Sequence, residues 1–167
     1  MEEEYVDIVD ENDNVVRKTT RKEVRQKALL HRDVTVIITN ENREFLLQKR
    51  SEKKDLYPGF WDLGIGETVK ASETYSQAAA RGLKEELGIG TSGKNLEMLF
   101  QFRFSSPIHN ALCTIFHLTY NGKIQLIDGE VIEYKFMNAG NAKKFMEREK
   151  FHPVRKRAFE KYLKLKC

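Results

Sequence analysis

From Gly64 to Ile89 the chain reads GIGETVKASETYSQAAARGLKEELGI, a glycine-punctuated loop that runs into a helix marked at both ends. Thr74 can N-cap, with Gln77 three residues on as its capping-box partner, and Gly88 suits the left-handed position after the last turn. The alanine run 78–80 favours helix between Tyr75 and Leu87, where Gly82 is the only glycine. Ala79, Leu83 and Leu87 recur at helical spacing and should face a core. Glu85 and Glu86 are adjacent, about 100° apart around the axis, so they straddle one edge of the helix. Arg81 lies four residues before Glu85 and can pair with it. Two carboxylates held by a helix beside a glycine-rich loop make a seat for a hard, oxygen-loving cation such as Mg2+. The bland alternative is a plain amphipathic helix.

The pattern Glu73, seven residues, Arg81, x, Leu83, x, Glu85, Glu86, x, Gly88, Ile89 resembles the Nudix box. That family cleaves diphosphate bonds in nucleoside diphosphates linked to another group, using Mg2+ or Mn2+. Two positions depart from the pattern. The opening glycine of the box falls on Glu67, with Gly66 just before it, and the glutamate that normally follows the arginine is Gly82. A glutamate at 82 would join Glu85 and Glu86 on one helix face, so its absence should weaken metal binding unless another acid substitutes. Glu67, Glu130 and Glu133 are the candidates. Glycine inside a helix also costs about 1 kcal/mol relative to alanine. Either a neighbour approaches closely there, or the position has drifted.

Elsewhere, Glu4 to Ile8 and Val15 to Lys18 flank the turn-rich DENDN and read as a strand pair. Thr20 caps a short helix running to about Leu30, with Glu23 as its box partner. Asp33 to Thr39 is a β-branched run suited to a buried strand, and Glu44 to Lys49 returns from it. Leu96 to Phe104, Leu112 to Tyr120 and Val131 to Met137 supply further strands; Ala142 to Lys150 and Pro153 to Lys166 read as helices. The mixed order predicts one domain over 1–167, an α/β sandwich with a mixed sheet; the resemblance makes this the Nudix α/β/α sandwich.

The stretch LLHRDVTVIITNENREFLLQKRSEKKDLYPGFW and, later, GEVIEYKFMN look like the Nudix branch that includes isopentenyl-diphosphate isomerase. That enzyme protonates an alkene with a cysteine and a glutamate, around a metal held by histidines and glutamates. Aligned on Trp61 and Glu73, its cysteine position is Gly66 and the nearby histidine position is Thr68. Aligned on Cys113, its glutamate positions are His109 and Ala111. Of its N-terminal histidines, His31 matches and the other falls on Val24. Without the thiol and the acid nothing moves protons across a double bond, so the isomerase reading is set aside for a hydrolase.

For a hydrolase the resemblance implies Glu86 as first metal ligand, with Glu85 beside it and a backbone carbonyl of the Gly66–Glu67 turn as a third contact. Metal ions neutralise diphosphate charge and lower the pKa of a bound water. Arg81 orients Glu85 or Glu73 by a charge-assisted bond. Glu73 is a water-mediated ligand or an orienting group, or simply an acid near a helix N-terminus. Lys49 and Arg50 end a strand that borders the substrate cleft in this family and suit phosphate oxygens, with Lys53 and Lys54 following. Phe60 and Tyr57 could stack on a nucleobase, while Trp61 reads as a core anchor. His109 reads as a solvated loop histidine in preference to a base or ligand, and His31 and His117 as structural.

Charge is unevenly spread around the net +4. Residues 2 to 14 carry seven acids and no base, whereas ten Lys or Arg and three Glu lie from Lys143 onward. Val154, Ala158, Phe159, Tyr162 and Leu163 make an apolar stripe there, and no nucleic-acid motif accompanies the bases, so the basic residues read as a solvated helix face. No apolar run reaches the roughly 20 residues that span a bilayer, and the acidic start is unlike a targeting peptide. Cys113 reads as a core residue and Cys167 as a frayed end, which makes a reducing cytoplasmic setting the default. A homodimer is common in the family. Two functions follow from these residues: a Mg2+-dependent diphosphohydrolase acting on a small nucleoside diphosphate-type substrate, or a catalytically impaired nucleotide-binding module in which Gly82 marks lost chemistry.

Overall fold

The computed structural model describes residues 2–91 and 95–166; the expectation for Cys167 lies outside them. The N-terminal hairpin is β1 (Tyr5–Val9) with β2 (Val15–Thr20), and α1 (Arg21–Lys27) follows it. Next come β3 (His31–Thr39), β4 (Phe45–Arg50), β5 (Trp61–Leu63), β6 (Ile65–Thr68) and α2 (Tyr75–Leu87). The chain continues through β7 (Glu97–Ser105), β8 (Asn110–Thr119), β9 (Val131–Met137), α3 (Ala139–Arg148) and α4 (Pro153–Lys166).

The β-branched run becomes the axis of a mixed sheet. β3 lies parallel to β8 over its whole length and antiparallel to β6, with Asp33 opposite Thr68 and Thr35 opposite Gly66. β4 meets β3 only at Thr39 and Phe45, then diverges to pair with β5 and β9. The divergence opens a cleft between the two halves of the sheet. Gly64 carries the chain from one half to the other: its N–H donates to the Leu46 carbonyl, and with φ +60° a methyl there would lie 1.8 Å from the Val36 oxygen.

Side chains alternate across each strand, so β3 feeds two layers. Val34, Val36 and Ile38 pack on Ala79, Leu83 and Leu87 of α2. Ile37 faces the other way, with Phe145 of α3 and Ala158 and Phe159 of α4. The result is the expected mixed sheet between helices. Each buried leucine of α2 stabilises by roughly 1.5–3 kcal/mol through transfer from water.

Several boundaries differ from the sequence reading. The first helix stops at Ala28, which adopts a left-handed φ of +46°, so residues to Leu30 are not helical. Glu23 does not complete a capping box, because Lys27, Arg17 and Thr19 take its carboxylate. The supposed Gly66–Glu67 turn is instead the middle of β6, a short strand made by pairing with β3. The third helix starts at Ala139, three residues early, because Asn138 N-caps it through the Asn141 N–H. The signals read at Thr74, Gln77 and Gly88 match the structure at both ends of α2.

Candidate active site

The cleft between the sheet halves has a cavity volume of about 130 Å3, and Leu56 is the only apolar side chain among the described residues of its wall. Part of the wall is carboxylate, from Glu67 and Glu130, with the buried Glu86 next to them. Glu67 of β6, Glu86 of α2 and Glu130, just before β9, bring oxygens within 4.8 Å of one another. Glu86 is 1% exposed, and its Oε1 has no hydrogen-bond partner. Its Oε2 accepts from the side-chain amide of Gln48 at 3.2 Å. The Lys54 ammonium sits among the acids, 2.5 Å from Glu130 and 3.5 Å from Glu86. Burial, then the charge of Glu67, pushes the Glu86 carboxyl well above the usual range. Burial also raises Glu67, against the pull of Arg81 and Lys54. Three converging carboxylates, two of them paired with a lysine head group and one with an orphaned oxygen, are the setting of a hard cation, and the donor set fits Mg2+ or Mn2+.

Glu67 reaches this cluster because of Gly82. A Cβ built on Gly82 would lie 2.4 Å from the Cγ of Glu67 and 3.0 Å from Ile65. The two departures from the box are therefore neighbours in space: glutamate where glycine is usual, and glycine where glutamate is usual. The close approach posed as one alternative from sequence is the one the structure contains.

Arg81 is the centre of a charge network beside the cluster. It donates to both oxygens of Glu73 at 2.8 and 3.0 Å, to Glu67 at 3.1 Å and to the Thr68 carbonyl. Glu85 is 3.6 Å from the same guanidinium, but its side chain is 51% exposed, at the cleft mouth. The carboxylate adjacent to Glu86 thus comes from Glu67, since a 100° step around the helix carries residue 85 outward. Glu73 accepts the Lys70 N–H and is held low by Arg81 and that bond, against the cost of burial.

Other residues singled out from sequence fall in different places. Arg50 lines the cleft but is buried: it donates to Asp62 at 2.9 Å and to the Leu56 and Tyr57 carbonyls. Lys49 alternates to the opposite side of β4, with its ammonium 6.0 Å from the Trp61 ring. Phe60 packs on Tyr57, 5.6 Å between centroids, and neither ring lines the cleft. Gly66 sits in β6 against the head group of Arg155. Trp61 packs edge-on against Phe145.

The sequence reading of His109 needs correction. It is 1% exposed, and its Nε2 is 2.6 Å from Asp33, which also lies 3.1 Å from His31. Both imidazoles pull the Asp33 carboxyl well below the usual range, overcoming its complete burial. Arg155 and His152 were missed among the supposedly solvated bases, yet both are buried on the cleft wall. The spacing contained the signal: Arg155 is three and four residues before Ala158 and Phe159, on the apolar stripe. Arg21 and Arg25 of α1, which share Asp55, also reach the wall and had no marker in the sequence.

The NUDIX domain model matches residues 29–162. The chain is 34% identical over 134 residues to "Uncharacterized Nudix hydrolase PA4841" of Pseudomonas aeruginosa, covering 80% of this chain and 78% of that one. It is 32% identical over 130 residues to "Uncharacterized Nudix hydrolase YfcD" of Escherichia coli K12, covering 78% and 71%. In fold it is similar to DR0079 of Deinococcus radiodurans, with a TM-score of 0.81 at 20% identity, over 95% and 98% of the two chains. A MutT protein of Methanosarcina mazei superposes with a TM-score of 0.67 at 27% identity, over 82% and 94%.

Proposed function

The chain belongs to the NUDIX domain family, and from that membership we propose that it is a Mg2+- or Mn2+-dependent diphosphohydrolase. Its substrate is a nucleoside diphosphate derivative, and water attacks phosphorus. The observation that carries this reading is the Glu67–Glu86–Glu130 cluster with the Lys54 ammonium inside it.

Glu86, Glu67 and Glu130 would hold the ion, with Glu85 as a further carboxylate at the mouth. A bound divalent ion neutralises diphosphate charge and makes an attacking hydroxide accessible near neutral pH. The protein's own groups do the rest. Gln48 fixes one oxygen of Glu86, and Arg81 fixes Glu67 and Glu73, so the carboxylates are oriented before any ligand arrives. Lys54, once released from the acids, is a mobile cation on the cleft wall for a phosphate oxygen. Arg50 acts through Asp62 and shapes the wall. Lys49 and Phe60, which lie off the wall, are left for parts of a substrate outside the cleft.

The presence of Glu67 in the space over Gly82 favours turnover over an inert binding module, because the box retains its carboxylate count from another strand. Release of phosphate or nucleoside monophosphate from a substrate panel with Mg2+ or Mn2+, wild type against Glu86→Gln, is the test. The variant should lose about 100-fold or more, beyond what removal of an orienting partner does. A panel without metal-dependent turnover, combined with measurable nucleotide binding, would establish the binding module instead.

A further inference from the structure

Arg155 and His152, both buried on the cleft wall, carry nitrogens that no hydrogen-bond partner uses. Arg155 of α4 is 3% exposed. Its Nε lies 3.2 Å from Asp62 Oδ1, and neither Nε nor Nη1 has a hydrogen-bond partner. Asp62 is shared: its Oδ2 accepts from Arg50 at 2.9 Å and its Oδ1 from the Leu63 N–H at 2.8 Å. A guanidinium presents five donors in a planar fork, and buried ones are ordinarily satisfied. His152, immediately before α4, is also buried, with Nδ1 unpartnered and its ring 4.3 Å from Tyr57. Burial, with Arg155 and Arg50 close by, holds it well below the usual histidine range and hence neutral.

Room for the Arg155 head group is made by Gly66. A Cβ there would lie 1.3 Å from Nη2, so the guanidinium rests directly on the β6 backbone. Asp62 is the acid 3.2 Å from Arg155, Asp33 is engaged by His109 and His31, and the other acids of the wall are Glu4, Asp55, Glu67, Glu85 and Glu130. Leu56 is the only apolar side chain among the described wall residues, and Tyr57, Phe60 and Trp61 lie off the wall, so its basic groups favour an oxygen-rich, anionic ligand.

We propose that Arg155, with His152 beside it, forms an anion subsite at the inner end of the cleft that receives the terminal phosphoryl group of a phosphate-ended substrate. The assignment of that anion as part of a substrate rests on the diphosphohydrolase reading above. A tetrahedral phosphoryl end matches the guanidinium fork, and Arg155 and Glu67 line the same cleft. The substrate class narrows accordingly. Compounds whose diphosphate or triphosphate chain ends in a free phosphate fit, whereas diphosphates capped by organic groups on both sides leave the subsite unfilled.

Binding of inorganic pyrophosphate to the full chain in EDTA, followed by calorimetry, separates this subsite from catalysis. Wild type should bind. Arg155→Lys, which keeps a charge for Asp62 and loses the fork, should weaken binding about tenfold, the size of one charge-assisted hydrogen bond. Gly66→Ala, whose methyl must push the guanidinium aside, should do the same with every charge retained; melting curves report whether each variant is folded. In turnover, Arg155→Lys should raise KM more for phosphate-ended substrates than for doubly capped ones. No pyrophosphate binding by wild type, equal binding by both folded variants, or citrate bound as tightly as pyrophosphate would overturn the subsite. Pyrophosphate binding lost in the variants, with no turnover of any substrate, upholds the subsite and removes the hydrolase reading.

Discussion

The side chain of Glu67 occupies the space above the α-carbon of Gly82, at a distance where any β-carbon on residue 82 would collide with it. Each residue is explained by the other. In an exposed helix, Gly→Ala gains about 1 kcal/mol. Here Gly82→Ala should lower the melting temperature and the Mg2+ affinity, since Glu67 is pinned by Arg81 at 3.1 Å and cannot step aside freely. Gly82→Glu alone should reduce turnover. The double variant Glu67→Gly with Gly82→Glu, which moves the carboxylate back to the helix, should recover more activity than either single change; no recovery would show that position 67 is needed for another reason.

Glu86 illustrates function held against stability. Its folded-state pKa is raised, so its neutral form is favoured by folding and its ionised form becomes a cost as pH rises above the unfolded value of about 4.3. Glu86→Gln should therefore raise the melting temperature in EDTA at neutral pH, by on the order of 3 °C if 1 kcal/mol is recovered. Below about pH 4 the gain should vanish, because both proteins are then neutral at this position. Thermal melts across pH in the absence of metal measure both limbs.

Lys54 occupies the acid cluster that a divalent cation would need. Lys54→Met should tighten Mn2+ binding about tenfold by calorimetry, because no ammonium must leave first. The same variant should melt lower than wild type in EDTA, since Glu86 and Glu130 lose the cation paired with them. Unchanged affinity would mean that the ion is held elsewhere.

Asp33, between His31 and His109, has a depressed pKa, so its ion pairing contributes stability above the unfolded value and loses it as pH falls through the folded one. Asp33→Asn should cost on the order of 3 kcal/mol at pH 7, the penalty for breaking a buried pair. The difference from wild type should narrow below about pH 4, as the unfolded carboxylate takes up its proton.

Much of the architecture was legible because it depends on local chemistry. The cap at Thr74, the C-terminal glycine at 88 and the β-branched run of β3 act within a few residues of themselves, and each gave the element expected. The box spacing likewise brought Glu73, Arg81, Glu85 and Glu86 to one helix and its approach. Strands β5 and β6 escaped notice because WDLGIGE has no strand signature of its own; pairing with β4 and β3 makes them strands.

What the sequence alone determined is the mixed sandwich and the helix that carries the acids, which follow from periodicity and caps, and the family, which the box residues carry by resemblance. Tertiary structure decided which carboxylates meet. Glu67 and Glu130 are separated from Glu86 by 19 and 44 residues and converge through sheet pairing, for which no local pattern exists. It also decided which charges are buried: His109 and Arg155 look like surface residues by type, and only the packing of β8 and α4 against the cleft takes them out of water.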